Sequence, residues 1–93
     1  MQMQDVINKV TEAGNNWFDK QTMRFWDSRI ESELFDNLTF ISSELTHDGK
    51  ERRYTIRQYV PDCNDIKTAG EFLQYETLED AVSEAKKVRF DYE

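Results

Sequence analysis

The feature that most constrains the fold is a pair of strand-like segments separated by a turn signal. RRYTIRQYV, residues 52–60, alternates its side chains as a half-buried antiparallel strand does. LTFISSEL, residues 38–45, has strand composition, and the Asp48-Gly49 pair that follows is typical of a tight hairpin turn. The sequence therefore predicts an antiparallel hairpin in the middle of the chain.

The alternation also divides the second strand between two faces of the sheet. One side carries Tyr54, Ile56, Gln58 and Val60, and the other carries Arg53, Thr55, Arg57 and Tyr59. We expect Arg53, Arg57 and Tyr59, together with Thr39 and Ser43, to face solvent. Such a polar, partly aromatic sheet surface is a candidate binding face.

Amphipathic helices are predicted at both ends of the chain. Apolar residues recur at helical spacing from about residue 3 to 13, and Gly14 is a plausible stop. Near the other end, Thr77 precedes LEDAVSEAKKV, residues 78–88, whose apolar positions form one helical stripe.

Three further elements complete the order along the chain. Asp19 is positioned to cap a short helix over residues 20–26. A small strand is expected within residues 28–35, and residues 66–75 resume strand character with Gly70 as a bulge.

These elements predict an α+β fold in a single domain covering residues 1–93. Short turns between consecutive strands favour a three- to four-stranded antiparallel meander sheet. We expect the N-terminal and C-terminal amphipathic helices to pack together on one face of that sheet.

The charge balance points towards a basic partner. Nineteen acidic residues against 12 basic ones give a net charge of −7, which works against general binding to nucleic acid or anionic membranes. The chain has no apolar run long enough to span a bilayer, and its first residues, MQMQDVINKV, do not resemble a signal peptide. The expected location is the cytoplasm.

The residues that usually carry catalysis are few. His47 falls in the predicted hairpin turn, and Cys63 lies in PDCND, where acidic neighbours discourage thiolate formation. The chain contains no CxxC, HExxH or glycine-rich phosphate-binding motif. We therefore expect no enzymatic activity, no metal and no cofactor.

The segment WFDKQTMRFWDSRI, residues 17–30, contains four of the 12 aromatic residues of the chain. Such a segment either anchors a small core or forms a contact surface, and the sequence leaves both uses open. The candidate partner-binding residues from this segment and from the second strand are Trp17, Phe18, Arg24, Trp26, Arg29, Arg53, Arg57 and Tyr59.

Two arginines of this segment also have a structural interpretation. Arg24 and Arg29 lie near Asp19 and Asp27, so they can be partly buried residues that tie the short helix to the sheet. On that interpretation, Arg24→Ala lowers the thermal midpoint by several degrees.

Two binding hypotheses follow from these residues. In the first, the surplus acids engage the basic groove of a nucleic-acid enzyme, with aromatic residues of the segment as anchors. In the second, the strand residues hold single-stranded nucleic acid; they are Arg52, Arg53, Arg57, Tyr54 and Tyr59. The alternative is that acids of neighbouring strands, such as Glu44 or Glu71, neutralise these arginines through cross-strand pairs. A homodimer through an unpaired edge strand is a further expectation.

The sequence resembles a family of small uncharacterised proteins encoded by bacteriophages and prophages. Their shared pattern is a Trp-Phe pair, an acid, Thr-Met-Arg-Phe, Ser-Arg, Ser-Glu and Tyr-Thr-(Val/Ile)-Arg. It corresponds here to Trp17, Phe18, Asp19, Thr22, Met23, Arg24, Phe25, Ser28, Arg29, Ser43, Glu44, Tyr54, Thr55, Ile56 and Arg57. The resemblance implies a phage protein that acts in a bacterial host cell by occupying a host protein, such as a nuclease or a CRISPR effector.

Overall fold

A computed structural model describes residues 1–25 and 27–89 of the chain. The elements, in chain order, are α1 (Met3–Glu12), α2 (Lys20–Phe25), β1 (Arg29–Ile30), β2 (Thr39–Leu45), β3 (Arg52–Val60), β4 (Asp65–Thr68) and α3 (Leu78–Ala85). The four strands form one antiparallel sheet in the order β1-β2-β3-β4. No helix within the described part of the chain is long and apolar enough to cross a membrane.

The predicted central hairpin is confirmed. Strands β2 and β3 pair with Ile41 opposite Ile56. The turn is closed by hydrogen bonds of 2.8 Å from Thr46 N to Glu51 O and from Gly49 N to Thr46 O. Gly49 has a φ of +71°, which glycine adopts without steric cost.

The helix boundaries follow the local signals in the sequence. Helix α1 is followed by Gly14 with a φ of +87°, as the predicted stop requires. The Thr77 hydroxyl accepts a hydrogen bond of 3.2 Å from Asp80 N and caps α3. Helix α3 ends at Ala85, three residues before the predicted end.

The short second helix is also confirmed. The Asp19 carboxylate accepts a hydrogen bond of 3.3 Å from Gln21 N at the start of α2. The predicted end of this helix, Trp26, lies outside the described residues.

The sheet buries apolar side chains on both faces. On one face, α1 contributes to a cluster of Val6, Val10, Phe40, Tyr59 and Ile66. On the other face, α3 contributes to a cluster of Ile41, Ile56, Ala81 and Ala85. We refer to these as the α1 face and the α3 face.

The predicted α+β class with two flanking helices is therefore confirmed, but the expected placement of both helices on one face is corrected. Phe40 and Ile41 are consecutive in β2, so their side chains point to opposite faces. Both are fully buried. Each face therefore needs its own cover, and the two helices supply it separately.

The expected open polar face is also corrected. Tyr59 is only 1% exposed because it packs under α1, and Thr39 and Ser43 are fully buried. Thr39 lies opposite Gln58 and Ser43 opposite Tyr54, which places both on the α3 face, away from Arg57. The prediction shifted β2 by one residue relative to β3, which exchanges the faces of all its side chains.

The fourth strand is interrupted after a regular start. Beyond β4, Ala69 N donates a hydrogen bond of 2.8 Å to Ile56 O. The chain then leaves the sheet and returns at Tyr75, which pairs with Tyr54 through backbone hydrogen bonds of 2.8 and 3.1 Å.

Residues 70–74, which we call the excursion, therefore lie opposite the single residue Thr55 of β3. The departure begins at Gly70, whose φ is +90°. The predicted strand over residues 66–75 is confirmed at both ends. The bulge predicted at Gly70 is larger than expected, because it spans five residues.

Candidate functional site

A buried ion pair lies on the α1 face of the central strands. Glu44 of β2 is 1% exposed, and its Oε1 lies 3.6 Å from Nη2 of Arg57 on β3. The Thr55 hydroxyl donates a hydrogen bond of 3.0 Å to the same carboxylate oxygen. The pair thus joins neighbouring strands inside the protein, where screening by salt is weak.

The Arg57 guanidinium is held at several atoms. Its Nε donates to Ser42 Oγ at 3.1 Å, and its Nη1 donates to Thr68 Oγ1. Burial lowers the pKa of Arg57, and the nearby Glu44 carboxylate acts in the opposite direction. The arginine nevertheless stays charged at any physiological pH, so it is a fixed positive centre.

Two aromatic rings flank this guanidinium. Its central carbon lies 5.2 Å from the Trp17 ring centroid and 5.4 Å from the Phe72 ring centroid. Both distances fit cation–π contacts. Trp17 also packs edge-on against Phe18 and Phe40, at 4.6 and 6.0 Å between centroids. Trp17 and Phe18 therefore pack on the core of the α1 face.

The excursion covers the ion pair and is braced against the sheet. Leu73 N donates to Thr55 Oγ1 at 2.8 Å, and Glu71 N donates to the Gln74 side chain at 3.0 Å. Arg53 Nη2 donates to Gln74 O at 3.2 Å. The excursion is consequently fixed to the sheet at two points and braced internally by a third bond, although it lies outside the ladder.

Two buried polar atoms under the excursion lack a hydrogen-bond partner within residues 1–25 and 27–89. They are Glu44 Oε2 and Arg53 Nε, which belong to residues directly opposite each other on β2 and β3. A buried unsatisfied polar group costs about 1–3 kcal/mol, and more when it is charged. The site therefore carries a cost that a purely structural sheet would avoid.

The two arginines near α2 are placed differently from the sequence interpretation. Arg24 and Arg29 are both exposed, so neither is a buried tie between helix and sheet. Arg29 meets Asp27 at 3.2 Å, but both side chains are at least half exposed. Such a pair contributes little to stability.

The tie to the sheet is made by Arg52, which the sequence analysis considered only as a nucleic-acid contact on the strand. Its Nη1 donates to Asp27 O at 2.9 Å and to Ser43 Oγ at 2.8 Å, and its Nη2 pairs with the Asp27 carboxylate. Asp27 itself has a φ of +50°. Arg52 thus fixes the chain just after the Trp26 position.

An acidic surface follows the excursion. Residues 68–85 contain five acidic residues and no lysine or arginine. They are Glu71, Glu76, Glu79, Asp80 and Glu84, all of them exposed. Glu76 lies 3.9 Å from Arg53 and remains 80% exposed at its side chain.

The candidate residues predicted from the sequence are brought together only in part. Trp17, Phe18, Arg57 and Tyr59 lie together on the α1 face, while Arg53 reaches the excursion. Arg24 and Arg29 lie apart from them on the surface, and Trp26 is outside the described residues. The sheet residues are thus mostly interior, which the alternation alone did not reveal.

The expected neutralisation of strand arginines by cross-strand acids is confirmed for Glu44 and Arg57. Sequence reasoning missed the burial of Glu44 and the contact made by Phe72. The alternation of β2 places Glu44 on the same face as Phe40, a signal that could have identified it as a buried acid. No comparable signal marks Phe72, because its contact with Arg57 depends on the path of the excursion.

The two residues considered for catalysis are remote from this site. His47 lies in the β2–β3 turn and Cys63 in the turn after β3, and both are exposed. Among the described residues, no group of three or more histidine, cysteine, aspartate or glutamate side chains is arranged to hold a metal ion.

Comparison with known proteins gives a family without an assigned activity. A family model described as "Family of unknown function (DUF7447)" matches residues 2–86, nearly the whole chain. No curated protein and no solved structure gives a significant match.

Proposed function

We propose a function for this chain, which belongs to the family of unknown function DUF7447, from the charges of its own surface. It is a non-enzymatic module that binds another protein through an acidic surface. Its partner is a basic protein, and binding blocks that partner by steric or charge-mimicking occupation.

The observation that carries this proposal is a difference in ion pairing between the arginines of β3 and the acids of residues 68–85. The three arginines of β3, namely Arg52, Arg53 and Arg57, each pair with a carboxylate, and only the partner of Arg57, Glu44, is buried. The five acids of residues 68–85 have no base within their own segment. The β3 arginines are therefore paired, whereas Glu71, Glu79 and Asp80 form no ion pair within residues 1–25 and 27–89 and leave this surface negative.

A surface of one sign favours a partner of the opposite sign. Complementary charge speeds diffusional encounter and suppresses binding to molecules of like charge. Proteins that handle nucleic acid present basic grooves of the required sign. The acidic surface supports such a groove as the target more than it supports nucleic acid itself.

The biological setting of the proposal comes from the resemblance to phage and prophage proteins noted above. A phage-encoded protein acts in the cytoplasm of the bacterial host. We propose that the target is a host defence or nucleic-acid-handling protein, such as a nuclease or a CRISPR effector. The protein would then act as an anti-restriction or anti-CRISPR inhibitor.

The test compares two variants with equal changes in net charge. One carries Glu71→Gln, Glu79→Gln and Asp80→Asn in the acidic surface. The control carries Glu12→Gln, Glu51→Gln and Asp62→Asn, three exposed acids on other elements. Each immobilised protein is exposed to a bacterial lysate, and the retained proteins are quantified.

We expect the wild type and the control to retain the same basic protein and the first variant to lose it. Equal retention by all three proteins would contradict binding through this surface, as would no specific retention by the wild type.

A second candidate, binding of single-stranded nucleic acid, is favoured by a different surface from the sheet face first expected. Lys20 and Arg24 are exposed four residues apart on α2, next to Phe25, which is 76% exposed. Neither Lys20 nor Arg24 forms an ion pair within the part of the chain that the structure describes. A gel shift with a labelled single strand across salt concentrations tests this candidate, because phosphate contacts weaken steeply with salt.

A further inference from the structure

We infer that the excursion, residues 70–74, is the docking element of this chain and that Phe72 anchors a basic polypeptide segment of the partner. This inference rests on the proposed function and deepens it, since it names the element that touches the partner and the chemistry of the segment that it takes.

The excursion is built as a preorganised loop. Five residues lie opposite one residue of β3, so they add no backbone pairing to the strand ladder. They are nevertheless held by the Leu73 N to Thr55 Oγ1 bond of 2.8 Å and the Arg53 Nη2 to Gln74 O bond of 3.2 Å. A loop that is already ordered loses little conformational entropy on binding.

The conformation of the excursion costs free energy. Leu73 has a φ of +59°, a region in which a non-glycine residue costs on the order of 1–3 kcal/mol. Beneath it, Glu44 Oε2 and Arg53 Nε are buried without partners among the described residues. A positive φ and two unpartnered buried atoms meet at the excursion, as is characteristic of functional sites, although Leu38 and Gln58 Oε1 show the same features elsewhere.

Phe72 has the properties of an interface anchor. Its side chain is 44% exposed although its ring lies 5.4 Å from the Arg57 guanidinium. Arg57 is itself hydrogen-bonded to Ser42 and Thr68, so the guanidinium beneath the Phe72 ring is held rigidly. Large aromatic residues in fixed positions are the usual hot spots of protein interfaces.

The charge around Phe72 identifies its ligand as basic. Glu71 precedes it directly, and the other acids of residues 68–85 follow within the same stretch. The nearest strong positive charge, Arg57, is 11% exposed at its side chain and paired with Glu44. A lysine or arginine beside an apolar residue satisfies both features, since cations are attracted to ring faces as well as to carboxylates.

The experiment is an NMR titration of the isotopically labelled full-length chain. The probe is a synthetic peptide that alternates arginine and leucine, and the control peptide carries glutamate in place of arginine. We expect the largest amide shifts within residues 70–76 with the basic peptide and no binding of the acidic one.

Three variants sharpen the result. Phe72→Ala should weaken binding of the basic peptide about tenfold or more, as loss of a hot spot does. Phe72→Leu keeps apolar bulk over Arg57 and should still lose several-fold, which decides the matter if Phe72→Ala does not fold. Phe25→Ala removes the most exposed of the described aromatic residues, at 76%, and should leave binding unchanged.

Shifts centred on α2, or equal binding by the wild type and Phe72→Leu, would overturn the inference. Failure of the peptide to bind would also overturn it. These failures leave the proposed function standing if lysate capture still depends on the acidic surface, and loss of that dependence overturns the proposed function itself.

Discussion

Both faces of the sheet are buried, but different kinds of side chain fill them. On the α3 face, Ile41 and Ile56 pack against Ala81 and Ala85, beside the buried neutral residues Thr39, Ser43 and Gln58. On the α1 face, an apolar cluster covers only part of the area. The remainder holds the charged pair of Glu44 and Arg57 beneath two aromatic rings.

The difference teaches where this chain gives up stability. Helix α3 is held by apolar burial and by hydrogen bonds at its C-terminal end, where Asn37 Nδ2 donates to Ala85 O at 2.7 Å and Thr39 Oγ1 donates to the same oxygen at 3.3 Å. A buried ion pair often contributes no more than an apolar replacement of the same volume. Charged residues on the α1 face are therefore better explained by what they support, which is the position of Phe72 and the excursion.

The largest expected effect on the free energy of unfolding tests whether both faces of the sheet belong to the buried core. Phe40→Ala should destabilise the fold by about 3–5 kcal/mol and Ile41→Ala by about 2–5 kcal/mol. Both residues are fully buried, on opposite faces. Chemical denaturation measures both values, and a nearly neutral effect of either variant would contradict helices on both sides.

The next effect tests the charged half of the α1 face. Arg57→Met should cost about 3 kcal/mol, because it leaves the 1% exposed Glu44 carboxylate without a cation. Adding Glu44→Gln to this variant should recover part of the loss, since no buried charge then remains. A single-variant cost well under 1 kcal/mol would mean that solvent screens the pair as it does at a surface.

A smaller effect appears at alkaline pH. Burial raises the pKa of both Tyr59, on the α1 face, and Tyr75, on the α3 side, above the ordinary 10.0. Both phenols stay protonated longer in the folded state, so their contribution is complete below about pH 10 and is lost as the pH rises further.

Thermal unfolding between pH 9 and 11 measures this loss. Tyr59→Phe and Tyr75→Phe should each reduce the decline with pH by a similar amount. An unchanged decline in both variants would contradict buried phenols on the two sides of the sheet.

The smallest effect concerns Arg24. Because its side chain is exposed, Arg24→Ala should change stability by less than about 0.5 kcal/mol, against the several degrees expected from the sequence. Arg29→Ala serves as the matched control. A substantial loss would restore the interpretation of Arg24 as a structural tie.

The regular parts of the fold could be read from local chemistry. The Asp48-Gly49 turn, the Thr77 cap and the stop at Gly14 are decided by neighbouring residues, and all three are as predicted. The alternation of β3 also sorted its side chains correctly between the two faces of the sheet. These signals act over a few residues, so a single sequence contains them in full.

The relation between elements could not be read in the same way. The register of β2 against β3 is fixed by packing on both faces, and an error of one residue moved Thr39 and Ser43 to the wrong side. The burial of Arg57 likewise depends on Trp17 and Phe72, which lie 40 and 15 residues away. Long-range contacts of this kind leave no periodic trace in the sequence.

The excursion has a consequence for how this molecule can change over evolution. Its two ends are joined to β3 through Ala69 and Tyr75, whose partners Ile56 and Tyr54 are separated by one residue. Residues can therefore be gained, lost or exchanged between these ends without altering strand pairing elsewhere. On the docking role inferred above, recognition can diversify in this loop while the scaffold is inherited intact.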